Sequence, residues 1–294
     1  MSREPSKVIV FGTHAFLTVF TAATIYPVLW VLKLALTPSR AFSMDPVPVP
    51  GLALRDGALH LAPVSLDNFR NVIFTYDAAG SWLFGWQLMN SVFVALATAA
   101  LGLTLSATAA YAMSRWGFPG KERGMAAFLV TQMFPGVVML IPLYLILDEL
   151  HLLDSLMGLV LVYSTTSVPF SVWTLKGYFD TIPQALEEAA VLDGCSRLQT
   201  FWWVIFPLAR PALAVTGLFS FMTAWNEFIL AATLMGDPKS FTLPVVLQRY
   251  VTDYGTDWGS FAAGSVLVSL PVVALFFALQ RHFVEGLTAG SVKG

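Results

Sequence analysis

Charged residues, cysteine and histidine are all scarce in this sequence, and each shortage excludes a class of protein. Only 12% of its 294 residues are charged, about half the share found in soluble domains, whereas 56% are hydrophobic. The single cysteine, Cys195, excludes an internal disulfide or a cysteine-based metal site, and the four histidines are too scattered to pair as metal ligands. The sequence also lacks a basic tract that would bind nucleic acid. The composition therefore indicates an integral membrane protein.

Three functional signatures are missing as well. There is no G-x-x-x-x-G-K-[ST] phosphate loop, so the chain cannot hydrolyse ATP by that route. There is no internal repeat of the kind common in secondary transporters, and no Ser/His or paired-Asp set within the apolar segments that could form an active site. A stand-alone secondary transporter or channel and an intramembrane enzyme remain as alternatives with little support.

Long apolar segments predict an all-α, polytopic membrane protein with six transmembrane helices. A helix of about 20 residues crosses a hydrocarbon core of about 30 Å. Six windows are long enough, at residues 8–36, 88–113, 124–147, 155–178, 205–235 and 258–283. The first window is longer than the apolar region of a signal peptide, and we predict that it is a retained span. Prolines within the windows are expected to bend them, as structural kinks or as gate hinges; they are Pro135, Pro142, Pro169 and Pro271.

The distribution of basic residues predicts that both ends of the chain lie on the cytoplasmic side. With this orientation, ten Lys and Arg residues lie in cytoplasmic segments and five in outer loops, as the positive-inside rule requires. The loops at 37–86 and 236–257 are then external, and the first is expected to form an irregular cap. Lys33, near the outer end of the first span, is expected to extend its amine to the interface.

Residues 180–207, between the fourth and fifth windows, carry the most informative pattern. Asp180 or Thr181 can cap a helix, Pro183 suits its first turn, and Gly194 suits its end. The pattern predicts about three helical turns outside the membrane. Composition alone is equally compatible with a solvated connecting helix.

The spacing in this segment resembles the EAA loop of permease subunits of binding-protein-dependent importers. Glu188-Ala189-Ala190 is followed after three residues by Gly194, and after nine more by Val204-Ile205-Phe206-Pro207. The family pattern is E-A-A-x3-G-x9-I-x-L-P, so only two apolar replacements separate the two. The resemblance implies a coupling helix that docks in a cleft of a cytoplasmic ATPase subunit, with contributions from Glu187, Glu188, Ala189, Ala190, Gly194 and Pro207.

Other stretches resemble the sugar-importing branch of that family. They lie at 110–115, 118–121, 132–135, 173–179 and 225–228. The C-terminal stretch 286–294 closely resembles the tail of the second permease subunit of maltose and maltodextrin importers, and the resemblance runs over essentially the whole chain. It implies that the tail contacts the ATPase dimer through Thr288, Gly290 and Lys293, the alternative being a disordered tail. It also implies that the loop 236–257 contacts a sugar-binding protein.

The resemblance also implies a fold, a location and a set of partners. The whole chain, 1–294, would form a single transmembrane permease domain with a MetI-like helical bundle in the bacterial inner membrane. Its partners would be a homologous second permease, an ATPase dimer, an external sugar-binding protein and the lipid bilayer, with no nucleic acid. The chain would be no enzyme and would bind no cofactor or metal, because ATP and Mg belong to the ATPase. Maltose, maltodextrin or a related oligosaccharide would be the substrate, with trehalose or another sugar as the alternative.

Asn226 and Glu227 form a polar pair midway through the predicted fifth span. A carboxylate at the centre of a span costs at least about 2.5–3.5 kcal/mol on insertion scales, so we expect Glu227 to face the bundle interior or a water-filled path. One interpretation is that the pair lines the sugar path. The other is that it forms a helix–helix hydrogen bond that fixes packing. In maltose importers the principal sugar site lies mostly in the partner permease, which weakens the first interpretation.

Overall fold

The computed structural model describes residues 7–42, 45–252 and 255–291, and side chains over 8–42, 45–251 and 255–280. Most of this chain is helical. The helices are α1 (Lys7–Leu36), α2 (Asp67–Ile73), α3 (Leu83–Arg115), α4 (Lys121–Met133), α5 (Leu140–Glu149), α6 (Leu156–Phe179), α7 (Ala185–Leu192), α8 (Arg197–Thr200), α9 (Phe206–Leu208), α10 (Arg210–Trp225), α11 (Ile229–Leu234), α12 (Leu243–Gln248) and α13 (Trp258–Ser291). A 3-10 turn, Gly136–Met139, precedes α5, and a π turn, Phe201–Ile205, joins α8 to α9.

Four helical segments of the described chain are long and apolar enough to cross a membrane. They are Val8–Leu36, Leu83–Arg115, Leu156–Phe179 and Trp258–Gln280, and they match four of the six predicted windows. Two bent helix pairs raise the number to as many as six if each pair is one span. Pro169 and Pro271 lie inside continuous helices and do not break them.

The third predicted span, 124–147, is a bent pair of helices, with the bend at Pro135 where one was expected. The stretches Lys121–Met133 and Gly136–Glu149 meet at 97°. The break falls at Phe134 and Pro135, where the backbone is extended, with ψ of 128° and 127°. A residue before proline is sterically pushed out of the helical region, so the helix ends there.

The fifth predicted span, 205–235, is wrong as a continuous helix. Its first residues belong to the stretch Arg197–Leu208, which meets α10 at 82°. Pro211 then lies in the first turn of α10, where its missing N–H costs nothing. A second break separates α10 from α11 at residues 226–228.

The chain divides into two compact units, and the first contains residues up to Phe84 together with Val246–Leu270. Its loop, predicted as an irregular cap, instead contains helix α2 and an antiparallel hairpin of β1 (Leu52–Arg55) and β2 (Ala58–Leu61). The turn consists of Asp56 and Gly57, with φ of 50° and 78°. An Asp-Gly pair favours this two-residue turn because its twist matches that of the strands. This dipeptide was the available sequence signal for the hairpin. A second short hairpin pairs β3 (Val251–Thr252) with β4 (Gly255–Thr256).

Lys33, in the first unit, is buried, and its amine contacts the loop that follows α1. Only 8% of the residue is exposed. Its Nζ lies 2.9 Å from Asp45 Oδ2 and donates a hydrogen bond of 2.6 Å to the Val47 carbonyl. The hydrogen bond from Lys33, and then that from the Val47 N–H, holds the pKa of the Asp45 carboxyl below its usual value. An ion pair therefore ties the end of α1 to the loop that follows.

The second unit contains Gly85–Val245 together with the residues from Pro271 onward. Helices α3, α6 and α10 approach closely at small residues: a Cβ on Gly102 would lie 3.1 Å from Ser167 Oγ and 3.5 Å from Ser220 Oγ. Small residues allow such close packing of membrane helices. At one end of these helices a buried cluster of mostly apolar side chains, including Tyr111 and Phe201, supports the segment between α6 and α10.

Candidate coupling site

The coupling segment, residues 180–207, starts differently from the prediction. Asp180 and Thr181 do not cap α7; the N-cap position is Gln184, without a side-chain cap bond. Residues 180–182 still hydrogen bond back to the end of α6, so α7 is shorter than the predicted three turns. Asp180 instead accepts hydrogen bonds from Ser114 Oγ at 2.6 Å and Lys176 Nζ at 2.5 Å. Burial raises the pKa of Asp180, but these two hydrogen bonds outweigh it and hold the pKa below its usual value.

The prediction that Gly194 ends the helix is confirmed. Gly194 has φ of 89°, in the left-handed region that suits glycine. Its N–H donates to the Val191 carbonyl, and the Cys195 N–H donates to the Ala190 carbonyl, both at 3.0 Å. This pair of bonds is the Schellman motif, which satisfies the last carbonyls of a helix.

Helix α7 has an inner and an outer face. Glu187 and Ala190 face inward, with the Glu187 side chain only 15% exposed. Glu188 and Ala189 are exposed, and Leu192 is 87% exposed. The outer face thus offers a low apolar surface beside one carboxylate, which another protein can approach.

Two residues of α3 hold the inner face of α7. Tyr111 Oη donates a hydrogen bond of 2.8 Å to Glu187 Oε2, and the Arg115 guanidinium forms an ion pair with the other oxygen. Arg115 also donates to the Ile182 carbonyl at 3.1 Å, and its side chain is only 7% exposed. The ion pair is shielded from water on both sides.

Aromatic rings pack around this ion pair. The Tyr111 ring lies 4.8 Å from that of Phe201 and 5.2 Å from that of Trp116, measured between centroids. The Arg197 guanidinium lies 5.5 Å from the Trp116 ring centroid, within range of a cation–π interaction. A groove of about 550 Å³ runs between these residues and α7.

Helix α8 follows with a capping box. Ser196 Oγ accepts from the Gln199 N–H, and Gln199 Oε1 accepts from the Ser196 N–H at 2.7 Å. Pro207 lies in α9, after the π turn, and is half-buried. The EAA-like residues are thus divided between α7, its glycine cap and α9.

Asn226 and Glu227 lie in the break between α10 and α11 but have different surroundings. Glu227 accepts the Leu230 N–H at 2.8 Å and the Ala231 N–H at 3.1 Å, so it caps α11. It also accepts a 2.7 Å hydrogen bond from Tyr163 Oη on α6. Asn226 is exposed, and its side-chain amide donates to the Met222 carbonyl of its own helix at 3.0 Å. Glu227 therefore accepts the hydrogen bond that links this break to α6, whereas the Asn226 side chain is exposed.

The predicted tail residues are only partly covered by the described chain. Thr288 and Gly290 belong to the backbone of α13, and their side chains lie outside the described part. Lys293 lies outside the described residues.

The sequence analysis did not assign Tyr111, Arg115 and Tyr163 to these sites, although Tyr111 and Arg115 lie in the stretch 110–115 that resembles the sugar-importing branch. Tyr111 is 76 and Arg115 72 residues from Glu187 along the chain. No local pattern links positions so far apart. The available signal was weak: a basic residue ends an apolar helix just before a turn, and an acidic residue lies on the inner face of a later helix.

Comparisons with known proteins agree on one family. Residues 102–288 match the family model described as binding-protein-dependent transport system inner membrane component. The trehalose transport system permease protein SugB of Mycobacterium tuberculosis is 35% identical, covering 94% of this chain and 95% of that protein. The maltose/maltodextrin transport system permease protein MalG of Escherichia coli K12 is 36% identical, covering 99% and 98%.

A solved structure agrees on the fold. A chain in the crystal structure of a bacterial ABC transporter that imports the acidic polysaccharide alginate superposes with a TM-score of 0.76. The alignment covers 96% of this chain and 100% of that chain, with 21% sequence identity. The helical architecture of an importer permease is therefore shared.

Proposed function

This chain belongs to the binding-protein-dependent transport system inner membrane components, and on that premise we propose that it is one permease subunit of an ATP-driven sugar importer. Membership of this family implies the fold and the membrane location. It also implies that the chain is a transmembrane subunit and not an enzyme. The proposal adds the energy source, the partners and the class of substrate.

The observation that carries the proposal is the two-sided helix α7. Its outer face, with Glu188, Ala189 and Leu192, is exposed in a segment that has the EAA spacing. Its inner face is held to α3 by Glu187. A rigid element with one face anchored and one face free is suited to pass a displacement from a partner to the spans.

We propose the following assembly. The chain pairs with a homologous permease in the bacterial inner membrane, crosses it six times with both ends inside, and receives sugar from an external binding protein through the loop 236–257. A separate ATPase dimer binds ATP and Mg and contacts the outer face of α7. The tail, with Thr288, Gly290 and Lys293, provides a second contact with that dimer. The basic residues of the short loops support this orientation.

Maltose, maltodextrin or a related oligosaccharide is the proposed substrate, with trehalose as the alternative. The support is the similarity to permeases named for these sugars, at 36% and 35% identity over nearly the whole chain. Within the chain, Asn226 is the better candidate for the sugar path, because its side chain is exposed beside a broken helix. Glu227 has a structural role as the cap of α11.

The experiment is reconstitution of the chain with a second permease, an ATPase and a sugar-binding protein of the same organism. Uptake of radiolabelled maltose, maltotriose and trehalose into proteoliposomes should require ATP and all partners. Transport by this chain alone, without ATP, would refute the proposal. Uptake of trehalose but not maltose would select the alternative substrate.

A further inference from the structure

Glu187 and Glu188 are neighbours in sequence with opposite surroundings. Both Glu187 oxygens are occupied, one by Tyr111 Oη at 2.8 Å and the other by the Arg115 guanidinium. Glu188, in contrast, is exposed on the outer face of α7. A partner that docks on the outer face of α7 meets Glu188, whereas the Glu187 side chain is only 15% exposed.

The Arg115 guanidinium makes several polar contacts in this region. Besides Glu187, it donates to the Ile182 carbonyl at 3.1 Å and to Ser114 Oγ at 2.9 Å. Separating a largely buried ion pair leaves uncompensated charges, so it is energetically costly. The charge of Arg115 thus favours keeping α7 against α3.

The end of α3 also holds the start of the coupling segment. Ser114 Oγ donates to Asp180 Oδ1 at 2.6 Å, and Lys176 of α6 donates to Asp180 Oδ2. Two consecutive residues of α3, Ser114 and Arg115, therefore fix two points of the segment, before α7 and on it. Because the segment is attached at two points, both the position and the rotation of α7 are restrained.

From these contacts we propose that Glu187 is an internal latch: it fixes α7 to α3 through Tyr111 and Arg115, so that displacement of α7 moves α3. This proposal rests on the proposed function, because the displacement comes from the ATPase. It divides the two glutamates by role: Glu188 faces the motor and Glu187 transmits the movement into the membrane. Glu187 is a positioning residue and contacts no nucleotide or sugar.

The test uses the complete complex with Glu187→Gln, which keeps the shape and removes the charge. The matched control is Glu188→Gln, one residue away. We expect Glu187→Gln to weaken the contact between α7 and α3 by about tenfold in equilibrium constant, the factor expected for losing a hydrogen bond to a charged group. The sugar imported per ATP hydrolysed should therefore fall. Glu188→Gln should instead weaken capture of the ATPase subunit.

A distance measurement separates the latch from a general loss of structure. Spin labels at Ala185, exposed in the first turn of α7, and at exposed Gly117, in a Cys195→Ser background, report the position of α7 relative to the chain just after α3. The distance distribution should be narrow in the parent and in Glu188→Gln, and broader in Glu187→Gln. If Glu187→Gln does not insert, Tyr111→Phe keeps the ring packing and removes one hydrogen bond, and it should broaden the distribution to a smaller extent.

The outcomes distinguish the two proposals. If the parent complex fails to assemble or to import sugar with ATP, the proposed function is wrong. If the parent works and Glu187→Gln matches it in both coupling ratio and distance distribution, the latch is wrong and the proposed function stands. Loss of ATPase capture in Glu187→Gln but not in Glu188→Gln would also overturn the latch, because it would make Glu187 the docking residue.

Discussion

At the scale of single residues, one left-handed glycine sets where α7 ends. Gly194 has φ of 89°, and a Cβ there would meet nothing within 4 Å. Any cost of substitution therefore comes from the backbone, about 1–2 kcal/mol for an ordinary residue. We expect Gly194→Val to impair ATP-driven transport while membrane insertion stays normal.

Gly194→Asn is the matched control, because asparagine tolerates the left-handed region better than valine. Its transport should lie between those of the parent and Gly194→Val, measured as uptake per inserted protein. Normal transport in Gly194→Val would count against the docking role of this segment.

Glu227 and Asn226 make a second pair of residue-scale predictions. The two Glu227 oxygens accept hydrogen bonds from the buried Tyr163 hydroxyl and from two backbone N–H groups. Glu227→Gln has a single acceptor oxygen for these donors, so it should destabilise the protein by about 1–3 kcal/mol. Asn226→Ala loses only a local bond on an exposed side chain and should change stability by less than about 0.5 kcal/mol. Thermal unfolding in detergent gives both values. Equal destabilisation by the two substitutions would contradict the capping role.

At the scale of helices and strands, some elements could be predicted from the sequence and others could not. Four long apolar helices were predictable because about 20 apolar residues leave few other folds in lipid. The bend at Pro135 was expected from the proline, whereas the breaks at Ala209 and at residues 226–228 were not, because hydropathy averages over a window and does not register the backbone of single residues. The Asp56-Gly57 hairpin was readable from local turn chemistry but was predicted as irregular.

The coupling segment shows the same division. Its helix and its glycine end followed from local spacing, whereas the predicted Asp180 cap was wrong because Ser114 and Lys176 compete for that carboxylate. The contacts of Glu187 depend on where two distant helices pack. One sequence does not contain that information in a local pattern.

The ion pair between α1 and its loop gives an element-scale prediction on pH. The folded-state pKa of Asp45 lies below its ordinary value of 3.8. The stabilisation is therefore fully present above pH 3.8, declines as pH falls below that value, and is gone below the folded-state pKa. Asp45→Asn should lower the melting temperature at pH 6 and lose this dependence.

The measurement is the difference in melting temperature between the parent and Asp45→Asn from pH 6 down to pH 3. The difference should shrink as the pH falls below 3.8. A difference that stays constant across this range would show that the ion pair with Lys33 does not contribute as described.

At the scale of the whole molecule, the proposed orientation puts the loop with the β1–β2 hairpin outside the membrane and α7 inside. Under this proposal, two exposed leucines on different segments report opposite compartments. Leu61 is 90% exposed at the end of β2, and Leu192 lies at the end of α7. This orientation stays a prediction, and the charge bias of the short loops is its support.

If the ATPase subunit contacts the outer face of α7, residue 192 lies against that subunit in the intact complex. Crosslinking from position 192 measures this contact. Leu192→Cys in a Cys195→Ser background would be crosslinked in the intact complex with and without ATP, with Leu61→Cys as the control. We expect position 192 to crosslink to the ATPase subunit, and we expect only position 61 to react with an impermeant thiol reagent applied to the outer side. A residue 192 that contacts no partner in any nucleotide state, or that reacts from outside, would contradict this proposal.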